Sequence, residues 1–199
     1  ARLGRVLNWC GKMDGKDGGI CSKMLFHLLG DATSKAKHAS NETVKSIRTI
    51  MTKPKWKAGM VVANELIDRA TGAPLAFGSC QGIYGNAGYH LFGFLLHIGN
   101  DENWGKMLRS QGWDEKTVMS FINRMIKEGY ITRETLQALN DIWALFDKEF
   151  NKANEVYYQM NGRYIKKIEP RKTIIDLHDG KPPFELTGGY APLIADRAR

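Results

Sequence analysis

TRETLQALNDIWALFDKEFNKANEVYYQMNGRY, running from Thr132 to Tyr164, is the stretch whose reading decides the fold. Its apolar residues are Leu136, Leu139, Trp143, Phe146, Phe150, Ala153, Tyr157, Met160 and Tyr164. Steps of three and four keep them on one stripe of an α-helix. Asn140, Asp141, Asp147, Lys148, Asn151, Lys152, Asn154 and Glu155 fill the positions between. Thr132 offers a hydroxyl to cap the first turn, and Gly162 can take the left-handed conformation that closes the last. At about 1.5 Å per residue such a helix spans roughly 45 Å, wider than a small domain, and needs other helices along it.

Upstream, Asp114 is a natural N-cap, and Val118, Phe121, Ile122, Met125 and Ile126 form one helical face that Gly129 ends. The turn between Gly129 and Thr132 is so short that the two helices are expected to form an antiparallel hairpin. Val118, Phe121, Ile122 and Met125 would pack against Leu139, Trp143 and Phe146. After Gly162 the chain carries Pro170, Pro182, Pro183, Gly188, Gly189 and Pro192 and reads as an extended arm rather than another element. The expected fold is therefore mainly α: a helical bundle built on an antiparallel helical hairpin with one long helix, plus an irregular Gly/Pro-rich C-terminal arm.

Three segments follow from composition. Residues 1–71 read as a basic N-terminal helical segment, with a short helical turn at Leu3, Val6 and Leu7. A helix from Ser22 to Leu29 ends at Gly30, and another, capped by Ser40 or Asn41, is stopped by Pro54. A third helix, near Met60 to Ala70, carries Val61, Val62, Leu66 and Ile67 and stops at Thr71-Gly72. Residues 72–99 mix seven glycines with apolar side chains, which predicts a buried helix from about Gly88 to Ile98. The alternative is a transient membrane contact through 72–99, since Gly78 and Gly82 have the spacing that lets helices approach closely. Residues 100–199 hold the hairpin and the arm.

A chain of 199 residues, 43% hydrophobic and 25% charged, can bury a proper core and is not disordered in composition. The net charge of +8 is uneven: residues 1–60 hold 12 Lys/Arg against 4 Asp/Glu, the remainder 17 of each. Cys10, Cys21 and Cys80 form no C-x-x-C pair and read as free thiols of a reducing compartment. No uninterrupted apolar run of about 20 residues occurs. An opening on Ala1 and an end on Arg199 are what a processed product or a piece of something longer would show.

Chemistry-bearing candidates are sparse. His90 and His97 could face one way on a helix but have no acidic or cysteine partner for zinc, and Cys10 has no base marked beside it. Asp101-Glu102 and Asp114-Glu115 suit helix starts, where the dipole favours negative charge. No catalytic, cofactor or metal site is predicted. Lys53-Pro54-Lys55-Trp56-Lys57 sets three ammonium groups around an indole, and Arg163, Lys166, Lys167, Arg171 and Lys172 follow the long helix. Ammonium groups neutralise phosphates and an indole stacks on unpaired bases, so Lys53, Lys55, Trp56, Lys57, Lys166, Lys167, Arg171 and Lys172 are candidate nucleic-acid contacts, with DNA as the partner. The uncovered half of the long stripe (Phe150, Tyr157, Met160 and Tyr164) is the candidate assembly contact.

His97-Ile98-Gly99-Asn100, Gly112-Trp113, Phe121-Ile122 through Ile131-Thr132, Ile142-Trp143-Ala144-Leu145, Gly188-Gly189-Tyr190-Ala191-Pro192 and Ala195-Asp196 occur in that order. Over residues 88–196 this resembles a helical region of the large polyvalent, internal virion (DNA-ejection) proteins of tailed bacteriophages and prophages. The resemblance implies a structural part of a protein packaged in the phage head and delivered with the DNA. Its implied partners are copies of itself or other virion proteins. It implies a place in the virion, in host cytoplasm on synthesis, and in the host envelope or cytoplasm after ejection. No catalytic residue of that family maps onto this chain. A nucleic-acid-binding domain using the basic first third is the alternative function.

Overall fold

In a computed structural model the described residues are 20–78 and 89–190, with side chains described for all of these except 20–33, 36 and 89. Readings that fall on residues 1–19, 79–88 and 191–199, including Leu3 to Leu7, Cys10, Cys80 and Pro192, lie outside the described residues. The chain is mainly helical, with five α-helices and two small two-stranded sheets among the described residues. It divides into two compact units, residues 1–46 and 47–199.

In the first unit the described part is helix α1, which covers Ile20–Thr52 and continues into the second unit. It corrects the expectation of two helices, because it runs through Gly30, Ser40 and Asn41 without a break. An interior glycine costs a helix only about 1 kcal/mol relative to alanine, which neighbouring turns can carry. The Thr43 and Ser46 hydroxyls bond back to the Ala39 and Glu42 carbonyls (3.1 and 3.0 Å) rather than capping a new start. Pro54 does stop the helix, and it is buried.

The second unit opens with a β-hairpin where a third helix was expected. Strand β1 (Met60–Ile67) pairs antiparallel with β2 (Pro74–Gly78), Val61 opposite Phe77 and Ala63 opposite Leu75. Val61, Ala63 and Leu66 are buried while Met60, Val62 and Ile67 are exposed. The register shifts between Ala63 and Ile67. That irregularity lets residues three apart face the core, imitating helical spacing. Turn chemistry closes the hairpin: Asp68 Oδ1 accepts from the Ala70 and Thr71 N–H groups at 2.8 and 2.9 Å, and Gly72 has φ +65°. Thr71-Gly72 is a turn between strands, not a helix stop.

Helix α2 (Tyr89–Leu96) and a short 3₁₀ turn (His97–Gly99) match the predicted buried helix, with Leu91, Phe92, Phe94, Leu95 and Ile98 in the core. No helix of the described residues is long and apolar enough to cross a membrane. Helix α3 (Asp101–Gln111) starts at Asn100, whose side chain accepts from Asn103 N–H at 2.8 Å. Helix α4 (Glu115–Lys127) starts at Asp114, which accepts from Thr117 N–H at 2.7 Å. Helix α5 (Arg133–Asn161) has Thr132 and Thr135 as a reciprocal cap and Gly162 in the left-handed conformation at its end. Glu65 and the Val62 carbonyl both meet the Arg124 guanidinium of α4 (3.1 and 2.9 Å), fastening the hairpin to the helices.

The C-terminal stretch is not wholly irregular. Thr173–Ile175 (β3) pairs antiparallel with Phe184–Leu186 (β4), and Ile175 and Leu186 are buried. An arm this rich in proline can still pair where the prolines flank the strands rather than occupy them. Arg133 grips the connecting loop: it donates to both Asp179 carboxylate oxygens at 3.1 Å and to the Pro182 carbonyl at 2.9 Å. The hydrogen bond from Arg133 holds the Asp179 carboxyl below its usual range. A folded pKa lowered in this way contributes stability above the ordinary carboxylate value of about 3.9, lost as pH falls through the folded value. The Tm gap between wild type and Arg133→Met should therefore be open at about pH 6 and close on acidification. A gap indifferent to pH would show that the contact adds nothing ionic.

Candidate interaction surfaces

The words scattered along the second half of the sequence converge on Trp143. This indole, 1% exposed, donates to the Leu96 carbonyl at 3.3 Å. Gly99 and Gly189 flank it: a Cβ on Gly99 would lie 2.5 Å from Trp143 Cε2, and one on Gly189 2.6 Å from Trp143 Cβ. The Gly99 carbonyl accepts from both Arg171 N–H (2.8 Å) and Gly189 N–H (2.7 Å). Buried Asn100 donates to the Gly189 carbonyl at 3.1 Å and forms a β-bridge with Pro170. A tryptophan on α5 thus needs glycines from two distant segments, and their backbones supply the bonds that hold the C-terminal stretch down.

Beyond this knot α5 divides in two. Leu136, Ala138, Leu139, Ile142 and Trp143 are buried and Phe146 packs on the core. Phe150 and Tyr157 are half-buried, Ala153 is exposed, and Met160 is 79% exposed. Val156 and Tyr158 are exposed as well. Tyr164 does not continue the stripe. The chain reverses at Gly162, and the Tyr164 ring stacks on Tyr158 at 4.3 Å, its hydroxyl donating to Glu155. The returning chain thus covers one side of the distal half, and Val156 and Met160 stay exposed.

A groove of about 600 Å³ lies beside this surface. Its lining includes Trp143, Ala144 and Phe150 of α5, Ile165 to Ile168 of the returning chain, and Gly188 to Tyr190. Phe150, Lys166 and Lys167 are contact candidates from the sequence; Ile165 and Ile168 carry no signal there that would mark them.

Most of the candidate nucleic-acid contacts are engaged within the chain. Trp56 donates to the Met51 carbonyl at 2.7 Å, lies perpendicular to the Phe92 ring at 5.4 Å, and packs partly buried against the core. Lys57 donates to the Glu128 carbonyl and sits over the Tyr130 ring, and Lys53 pairs with Asp141. Lys167 pairs with Asp147 and Lys172 with Glu185. Arg171 is the most committed: Glu115 at 2.6 Å, Asp101 at 3.6 Å and the Trp104 ring at 4.2 Å. Exposed lysine pairs contribute about 0–1 kcal/mol and exchange readily; a stacked, paired arginine does not. Lys55 and Lys166 are exposed.

The histidines come to no site. His90 is exposed, while half-buried His97 has Nδ1 3.4 Å from the Asn103 amide, and burial pushes its pKa down. Neutral imidazole can accept from that amide. Among the described residues no three His, Cys, Asp or Glu side chains gather as a metal ion would require. No family model, curated protein or solved structure matches the chain.

Proposed function

We propose that the chain is a non-catalytic assembly module: a helical bundle organised on the antiparallel pairing of α4 and α5, with the long α5 presenting its distal half to a neighbour. The observation that carries this is the division of α5. The half towards Arg133 is sealed into the core; the half towards Asn161 exposes Val156, Tyr158 and Met160 and only half covers Phe150 and Tyr157. Apolar surface gathered in this way on one end of a helix is a contact surface, because water opposes leaving it bare. Phe150, Tyr157, Met160 and Tyr164 are its proposed contacts.

The resemblance over residues 88–196 supplies the context of the proposal: an internal virion or DNA-ejection protein of a tailed phage, packed against copies of itself or other virion proteins. Two charged residues on the open face test it. The wild-type chain should sediment as an oligomer, and the double variant Tyr157→Glu with Met160→Glu should sediment as a monomer with nearly unchanged helical circular dichroism. A monomer both before and after the change would end the assembly reading.

A further inference from the structure

The outer face of α5 carries a pattern that neither the core nor the groove uses. Leu145, Glu149, Lys152 and Val156 are spaced four, three and four apart, so they stand in one line along the helix. At about 100° per residue that line lies roughly opposite Trp143 and the Asp147 and Asn154 side that meets the returning chain. Val156 is 55% exposed and Leu145 half-buried, and between them Lys152 and Glu149 form a 2.8 Å surface pair. Steps of four and three are those of a two-helix seam. The order along it is apolar, acidic, basic, apolar, which becomes its own complement when the direction is reversed.

Two copies of α5 laid antiparallel, with the twofold axis between Phe150 and Asn151, satisfy every position of the line. Leu145 falls opposite Val156 of the second copy and Glu149 opposite its Lys152, and the symmetry repeats both pairs. The flanks agree as well: exposed Lys148 comes beside Glu155 of the second copy on one side, and half-buried Phe146 beside its Ala153 on the other. Parallel copies in register would instead set Glu149 against Glu149 and Lys152 against Lys152. Like charges facing one another oppose association, so the charges select the antiparallel direction.

We propose that α5 pairs in this antiparallel register with α5 of a second copy, forming a twofold dimer. This rests on the reading that the distal half of α5 meets a neighbour, and it makes that neighbour the same chain. Exposed Met160, seven residues beyond Ala153, extends the apolar flank of the seam. From Leu145 to Val156 the seam is only about 16 Å long, so the dimer is weak and depends on concentration. Its apolar pairs supply attraction, and its charge pairs supply direction and register.

Charge exchange tests it, read by sedimentation of the full chain over a range of concentrations. Glu149→Lys sets a lysine against Lys152 of the second copy at two places. It should weaken the dimer about tenfold or more, with helical circular dichroism retained. Lys152→Glu should do the same, and the double variant Glu149→Lys with Lys152→Glu should associate as wild type does. An equimolar mixture of the two single variants should also dimerise. Each chain in that mixture keeps like charges at 149 and 152, so its recovery comes from contacts between chains alone. Single variants that associate as tightly as wild type would overturn the antiparallel pairing and leave assembly by another face of α5 standing. A mixture or a double variant no better than the single variants would overturn it too, as would a wild-type mass above that of a dimer. A wild-type chain that stays monomeric at every concentration would end both the pairing and the assembly reading.

Discussion

Phe121→Ala should be the most damaging single truncation in the core, costing about 3–5 kcal/mol. The ring is 0% exposed. It lies 5.0 Å from the Phe77 ring and 5.6 Å from that of Phe94, the latter in edge-to-face geometry. Phe94 also meets Phe77 at 5.2 Å, so three rings from α4, β2 and α2 close on one another. Alanine would forfeit the burial of the ring, leave a cavity, and break aromatic pairs whose geometry adds about 0.5–1.5 kcal/mol each beyond burial. Urea denaturation should show a lower midpoint with an unchanged slope, the mark of lost stability rather than an altered unfolded state. A shift worth less than about 1 kcal/mol would mean that the neighbours collapse into the space, and that these rings do not hold the three elements together.

Gly188→Ala is expected to cost about 3 kcal/mol or more, although it adds a single methyl group. Gly188 has φ +70°, a conformation that costs an L-residue about 1 kcal/mol. Its Cβ would meet the Arg171 carbonyl and fall 2.6 Å from the Gly99 carbonyl oxygen. Both obstacles are backbone, so no rotamer relieves them, and forcing them apart strains the bonds that Gly99 accepts from Arg171 and Gly189. Gly162 makes the control: its φ is +68°, but a methyl group there would meet nothing within 4 Å, so Gly162→Ala should cost only about 1 kcal/mol. Thermal unfolding followed by circular dichroism should separate the two by about 4 °C or more for a chain of this size. Equal Tm values would show that the carbonyl cluster yields easily, and that the C-terminal stretch is not fastened through Gly99.

Local chemistry in the sequence determined the starts and stops of the later helices. Asp114 and Thr132 cap α4 and α5, Gly162 closes α5, and Pro54 halts α1. The face of Val118, Phe121, Ile122, Met125 and Ile126 is the buried face of α4. All of these depend on groups within one helical turn, which is why residue spacing alone reveals them. The helical reading of Met60–Ile67 fails because a register shift in β1 imitates helical spacing, and its state rests on pairing with β2 rather than on intrinsic preference. Thr173–Ile175 is a strand only by meeting Phe184–Leu186. Phe121 is expected against the long helix, yet its ring neighbours are Phe77 and Phe94.

For the interaction surfaces, the stripe of α5 was legible and its division was not. Which apolar residues are covered depends on where the chain goes after Gly162, and on a tryptophan seated between two glycines from distant segments, Gly99 and Gly189. The course of that returning segment is set by Asn154 at Ile165 and by the Gly99 carbonyl at Arg171, groups far from it in sequence. Periodicity reports what a helix can bury. Which part of it is buried is set by contacts between segments far apart in sequence, and those exist only once the chain has folded.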